Sequence, residues 1–206
     1  MNKPIPSAPS TPQSPITIVP QKPHTPCTET APMASSTLSF FSISSIEKID
    51  RLNFDKAVRV NYMAPTLLIS YCWSSLIKNK GKVINILSGA AINPIEGWTA
   101  YCSTKAALHM VNQQTHLEGY ENGISSIGIS PGMVDTEMQG KIRASGINKV
   151  SKVRKEDLID TKQTGSFALW CASSDADEFS GRMISENEET VAFKYQAWIK
   201  NQKQTL

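Results

Sequence analysis

The chain has 206 residues, enough for one domain with a modest core. Its net charge of +3 and pI near 8.6 are too mild to argue for nucleic acid, and no basic cluster is interleaved with aromatic residues. No apolar run approaches the roughly 18 residues needed to span a bilayer, and the N-terminus has no hydrophobic signal core, so a soluble, cytoplasmic protein is expected. The four cysteines, Cys27, Cys72, Cys102 and Cys171, lack CxxC spacing and read as reduced thiols rather than a zinc site. His109 and His116 have no ligand cluster beside them, so no metal is expected.

Residues 1 to about 37 hold nine of the twelve prolines, mixed with Ser and Thr, and almost no large apolar side chains. Such a stretch cannot bury enough surface to offset its chain entropy, so residues 1–43 are read as a Pro/Ser/Thr-rich disordered segment. Thr11-Pro12, Ser14-Pro15 and Thr25-Pro26 have the form of proline-directed phosphorylation sites, and Pro6 to Pro9 and Pro20 to Pro23 have PxxP spacing, although any proline-rich tail contains such motifs.

Order is expected from about Ser44, with 44–206 as the folded domain. Ser45 or Asp50 is a candidate cap. Leu52, Phe54, Val58, Tyr62, Leu67, Leu68, Tyr71 and Cys72 recur near the helical period, giving a long amphipathic helix to about Lys78. Pro65 lies inside it and has no N–H for the carbonyl of Asn61. A polar turn with Gly81 follows, then a strand over Lys82 to Leu87 whose continuous apolar character suits a parallel strand covered on both faces.

Ser88 ends that strand, where an open α/β sheet presents its ligand site. A helix is predicted from Thr99 to about Tyr120. Tyr101 and Lys105, four residues apart on it, share one face. A phenol titrates near ~10, and a neighbouring ammonium is expected to lower that value, giving a pair that exchanges a proton with a carbonyl or alcohol oxygen. Cys102, next to Tyr101, reads as a small helix-packing residue.

A second parallel strand is predicted over Ile124 to Ser130, running into Pro131-Gly132-Met133-Val134-Asp135-Thr136. Pro131 and Gly132 are ordinary turn formers and Thr136 an ordinary helix cap, so this stretch alone does not require a ligand. Residues 137–155 are polar. Glu156 to Ser173 reads as a helix, Ser180 to Ile184 as a short last strand, and Val191 to Ile199 as a terminal helix with Phe193, Tyr195 and Trp198 exposed or docked on a partner.

The order strand, Ser88, Tyr101 thirteen residues on, then Lys105, set in VINILSGAA and AYCSTKAAL, resembles the short-chain dehydrogenase/reductase family. GWTAYCSTKAAL is also similar to its benzil-reductase and sepiapterin-reductase-like branch. The resemblance implies an α/β fold, a Rossmann-like parallel sheet with flanking helices. It implies a nicotinamide cofactor, NADP or NAD with NADP favoured, and hydride transfer to a small ketone or from a secondary alcohol. Tyr101 is then the proton donor, Lys105 its modulator and ribose contact, and Ser88 the group that orients the substrate. Asn61, in Val60-Asn61-Tyr62-Met63-Ala64-Pro65, sustains a water relay to the lysine, although an Asn that merely bends or caps a helix is the plain alternative. Pro131, Gly132, Val134 and Thr136 match the PG-x-V-x-T turn that meets the nicotinamide carboxamide, and 137 to about 155 lie where the family places a mobile substrate lid.

The resemblance covers about Ser44 to Ile184. No G-x-x-x-G-x-G follows a strand and no NNAG is present, so the fold is expected to be N-terminally truncated, keeping the last three parallel strands with one edge of Val83 to Leu87 unpaired. The helices at about 50–78 and 98–120 correspond to the family's dimerising pair, which implies a homo-oligomer. The competing readings are a catalytically inactive remnant that serves as an oligomerisation or regulatory partner, and a mistaken reading frame or exon joined to the end of a normal reductase.

Overall fold

The computed structural model describes residues 40–204. The expectations for the proline-rich segment, with its phosphorylation and PxxP motifs and Cys27, therefore fall on residues outside those described. Packing starts a little before Ser44: the Phe41 ring is already buried.

Asp50 opens the first helix, its carboxylate accepting the N–H groups of Leu52 and Asn53 at 3.2 Å. The predicted helix is one continuous run of three parts: α1 (Arg51–Val58), a π-helical turn (Arg59–Met63) and α2 (Ala64–Asn79). Pro65 accounts for the middle part. It cannot donate to the carbonyl four residues back, and the backbone takes up the extra residue, with the Ala64 N–H reaching Arg59 O five positions earlier. Lys80 closes α2 in the left-handed region at φ 49°.

Three parallel strands follow: β1 (Lys82–Ile86), β2 (Ser125–Ile129) and β3 (Met183–Ile184), ordered β1-β2-β3. Lys82 lies opposite Ser125, Ile86 opposite Ile129, and Gly128 opposite Met183. A Cβ on Gly128 would stand 2.3 Å from Leu87 Cδ1 and 3.3 Å from Arg182 O, so any other residue there would force the Leu87 side chain to move. The helix α3 (Thr99–Gly119) connects β1 to β2. Between β2 and β3 lie α4 (Glu137–Ser145), inside the predicted lid, and α5 (Thr161–Cys171); α6 (Glu189–Gln204) ends the described chain.

Two elements differ from their predicted bounds for a shared reason, bonding between distant backbone segments. The helix α5 begins at Thr161 rather than Glu156, because Ile159 is extended and donates to Met133 O at 2.8 Å while its carbonyl accepts Asp135 N–H at 2.9 Å. Asp160 then caps the helix by accepting Lys162 N–H at 2.7 Å. The last strand shrinks to Met183–Ile184, since Gly181 is already committed to Ser126 O.

The main core lies beneath β2 and β3, where Phe167, Trp170, Phe179, Val191 and Tyr195 surround Ile127, Ile129 and Ile184. Tyr195 is thus neither exposed nor reserved for a partner. Trp198 is packed against the same core, and Phe193 alone of the three aromatics faces solvent. Asn112, fully buried on α3, joins the layers: it accepts from Asn85 Nδ2 at 3.1 Å and Ser126 Oγ at 2.9 Å, and donates to Arg182 O at 3.3 Å. On the other side, α2 has no buried residue at all.

Candidate active site

Ser88 leaves the end of β1 in an extended conformation (φ −163°, ψ 151°), just after Leu87 donates to Ile129 O at 2.7 Å. Its Oγ accepts Ala90 N–H at 3.2 Å, and its hydroxyl is near enough to the Tyr101 phenol to draw that group's pKa down. Tyr101 stands in the first turn of α3 and is 7% exposed. Trp98 and Phe41 meet its ring edge-on, at centroid separations of 5.8 and 5.1 Å. These three rings, with Ala90 and Ile142, form a second, smaller apolar cluster.

Lys105 is 3% exposed and donates from Nζ to Ile86 O at 2.7 Å, with Nζ 5.6 Å from the Tyr101 ring centroid. Burial lowers its pKa to about 8. Tyr101 moves the other way from the expectation that the ammonium would lower it. Burial pushes the phenol up, the Ser88 hydrogen bond opposes this, and the neighbouring Cys102 adds to the rise. The reason is geometric: the lysine spends its hydrogen bond on Ile86 and lies toward the aromatic ring. The phenol is therefore protonated at neutral pH, ready to donate.

Asn61, buried on the π turn, joins this group through α3. Its Oδ1 accepts Phe40 N–H at 2.6 Å, and its Nδ2 donates to Phe40 O at 2.7 Å and to Thr104 Oγ1 at 3.1 Å. Thr104 sits between Tyr101 and Lys105, its hydroxyl bonded back to Ala100 O and Tyr101 O. The widened turn is thus fastened to the helix that carries Tyr101 and Lys105.

Pro131 to Thr136 leave the end of β2, the strand beside β1, so this turn and Ser88 share one edge of the sheet. Gly132 adopts φ 77°, where an added Cβ would meet Ile159 Cδ1 at 3.0 Å. Val134 bridges to Ile159. Thr136 occupies the N-cap position of α4 and is exposed, but its hydroxyl makes no capping bond. Thr136 thus stands where the plain helix-cap reading puts it, with its carbonyl accepting Gln139 N–H at 3.0 Å and its hydroxyl left out of the cap.

Sequence reasoning missed Phe40, Phe41, Thr104 and the Val134–Ile159 tie. The Phe40-Phe41 pair directly after a proline-rich run was the one available signal. Among the described residues no three His, Cys, Asp or Glu side chains are grouped as metal ligands, and no helix is long and apolar enough to cross a membrane.

The family model for short chain dehydrogenase matches residues 41–147, about half of the chain. The chain belongs to the short chain dehydrogenase family. A benzil reductase ((S)-benzoin forming) of Bacillus subtilis is 38% identical over 117 residues, covering 49% of this chain and 48% of that protein. A benzil reductase of the same description from Saccharomyces cerevisiae is 31% identical over 155 residues, covering 69% and 59%. Against the Bacillus enzymes of this description the chain spans about half of the relative's length or less. Among solved structures, a short chain dehydrogenase/reductase from Saccharomyces cerevisiae superposes with a TM-score of 0.65 at 23% identity, covering 78% of this chain and 66% of that one. A 4-hydroxyisoleucine dehydrogenase complexed with NADH and succinate gives 0.59 at 21%, covering 72% and 63%. These likenesses show the Rossmann-like fold of short chain dehydrogenases.

The family implies a nicotinamide cofactor, and the residues at this edge fit one end of it. The turn after β2 is open, its glycine keeps the backbone bare, and the Thr136 hydroxyl is not engaged with α4. Lys105 and Tyr101 stand at the adjoining strand end. No G-x-x-x-G-x-G turn lies among the described residues to receive the pyrophosphate.

Proposed function

We propose that this chain carries the catalytic and nicotinamide-facing part of an NAD(P)-dependent carbonyl reductase acting on a small ketone or secondary alcohol, cytoplasmic and working with NADP in preference to NAD. The observation that carries the reading is Ser88 at the end of β1 acting on the phenol of a buried Tyr101, with Lys105 buried one turn further on. The substrate oxygen lies between Ser88 Oγ and the Tyr101 hydroxyl. Ser88 orients it, and Tyr101 gives it a proton in reduction or accepts one in oxidation. The cofactor, when bound, supplies or takes the hydride at the carbonyl carbon.

Lys105 would hold the ribose hydroxyls of the cofactor and return a proton to Tyr101. The Asn61 carbonyl, lacking a donor at Pro65, holds the water that links this lysine to solvent. Pro131, Gly132, Val134 and Thr136 receive the carboxamide end, Val134 through its backbone and Thr136 through its hydroxyl. The similarity to benzil reductases supports an aryl 1,2-diketone as the substrate to try first.

The reading includes a homo-oligomer through α1–α2 and α3, supported by apolar side chains shown to solvent on both: Leu67, Leu68 and Tyr71 on α2, Met110 and Leu117 on α3. The decisive experiment is reduction of benzil by the purified chain, followed as NADPH or NADH oxidation. Tyr101→Phe removes the proton donor and keeps the ring contacts, and is expected to lower kcat by about 10²–10⁴-fold. Equal rates in the two proteins would overturn the assignment.

A further inference from the structure

Outside the Ser88–Tyr101–Lys105 group, an open groove of about 480 Å³ runs between the loop after Ser88 and the segment that follows α4. Pro94, Ile95 and Glu96 form one wall, and Ile147, Asn148 and Val150 the other. It adjoins the candidate site, since Ile95 and Val150 are also packed against the cluster of Phe41, Trp98 and Tyr101. The part shared with that cluster, Ile95 and Val150, is apolar, while Glu96, Asn148 and the exposed Lys149 and Lys152 also line the groove.

One side chain spans the two walls. Asn148 Nδ2 donates to Glu96 O at 2.7 Å, across 52 positions of sequence. Its Oδ1 accepts Val150 N–H at 3.1 Å, starting the short 3₁₀ turn Lys149–Lys152. The same junction is drawn tight at Gly97, where an added Cβ would stand 3.3 Å from both Ile147 Cγ2 and Ile43 Cγ2. Donor and acceptor of one amide thus do separate work: Oδ1 shapes the segment after α4, and Nδ2 ties that segment to the loop leading into Tyr101.

We propose that Asn148 is a positioning residue for substrate choice. It holds the two walls of this groove in fixed register, and the groove seats the part of the substrate remote from the reacting carbonyl, an uncharged aryl or branched alkyl arm. The inference about the substrate arm rests on the carbonyl reductase reading; the tie between the walls does not.

Asn148→Asp separates the two bonds, because a carboxylate still accepts Val150 N–H but cannot donate to Glu96 O. Two measurements test it on the full chain. In limited trypsinolysis, cleavage after Lys152 is expected to be about tenfold faster in the variant, relative to cuts elsewhere in the same digest, as the loss of one hydrogen bond implies. Unchanged cleavage, or acceleration shared by every site, would overturn the local tie. In NADPH-dependent assays, KM for benzil is expected to rise about tenfold with kcat within twofold, while KM for 2,3-butanedione, which has no aryl arm, stays within twofold. Asn148→Gln, which keeps the donor, should recover part of the benzil KM. Equal changes for both diketones would remove the role in substrate choice. A chain that reduces neither diketone refutes the reductase reading and the substrate arm with it, leaving the wall tie to be judged by the digest.

Discussion

The two sides of the sheet are finished differently. Every residue of β2 is buried, and α5 and α6 set Phe167, Trp170 and Tyr195 against it to form the main core. In β1, next in the sheet, Asn85 alone is buried, and the sixteen residues of α2 on that side bury nothing. Tyr71 there is 75% exposed and Leu68 63%, while Trp170 across the molecule is 0% exposed. The buried core lies on the β2–β3 side, and α2 leaves apolar side chains exposed. The candidate site residues lie along the boundary: the Ile86 carbonyl ends β1, Ser88 follows it, and Tyr101 and Lys105 stand on α3.

The largest expected effect comes from opening the closed side. Trp170→Ala should cost about 3–5 kcal/mol in a urea titration, the range for truncating a fully buried large aromatic residue. A loss below about 1 kcal/mol would mean that this core does not hold the domain together.

Next comes the boundary. Lys105 has a folded pKa of about 8 against 10.5 for an ordinary lysine. Between those values the unfolded chain binds the proton and the folded chain does not, so this residue's contribution becomes more favourable as pH rises through that window. Below pH 8 the cost of burying the charge is present in full. Wild type should therefore gain about 1–2 kcal/mol on Lys105→Met between about pH 8 and 9.5. A difference that stays flat, measured by urea titration at each pH, would place the lysine outside the buried position described.

The smallest effect on stability is expected on the open side. Leu68→Ser with Tyr71→Ser should change the stability of the single chain by less than about 0.5 kcal/mol per site, as for exposed positions. Sedimentation should nevertheless move toward the monomer. If the double variant sediments as wild type does, α2 is not the contact surface.

These regions were unequally legible in the sequence. Ser88, Tyr101 and Lys105 follow from strand and helix spacing, and the disturbed turn at Asn61 from the missing N–H of Pro65, because each depends on residues within one or two turns. What stayed hidden depends on distant backbone. Nothing near Glu156 announces that Ile159 will pair beside Val134 and delay α5 by five residues. The direction of the Tyr101 shift was missed for a related reason. Spacing puts the ammonium near the phenol, but the depth of burial and the carbonyl of Ile86 determine how the pair behaves. Tyr195 and Phe193, two positions apart on α6, look alike in sequence; the one is in the core and the other in solvent.

Asn61 has a consequence for heredity. Its amide meets Phe40 as a neighbouring strand would, giving a donor to the carbonyl and an acceptor to the N–H of a single residue. Aspartate, one nucleotide change away from asparagine, has the same outline and no donor. Glutamine, which has both, is a methylene too long for the same seat. A single-base change from asparagine to aspartate therefore keeps the bond from the Phe40 N–H and loses the one to its carbonyl.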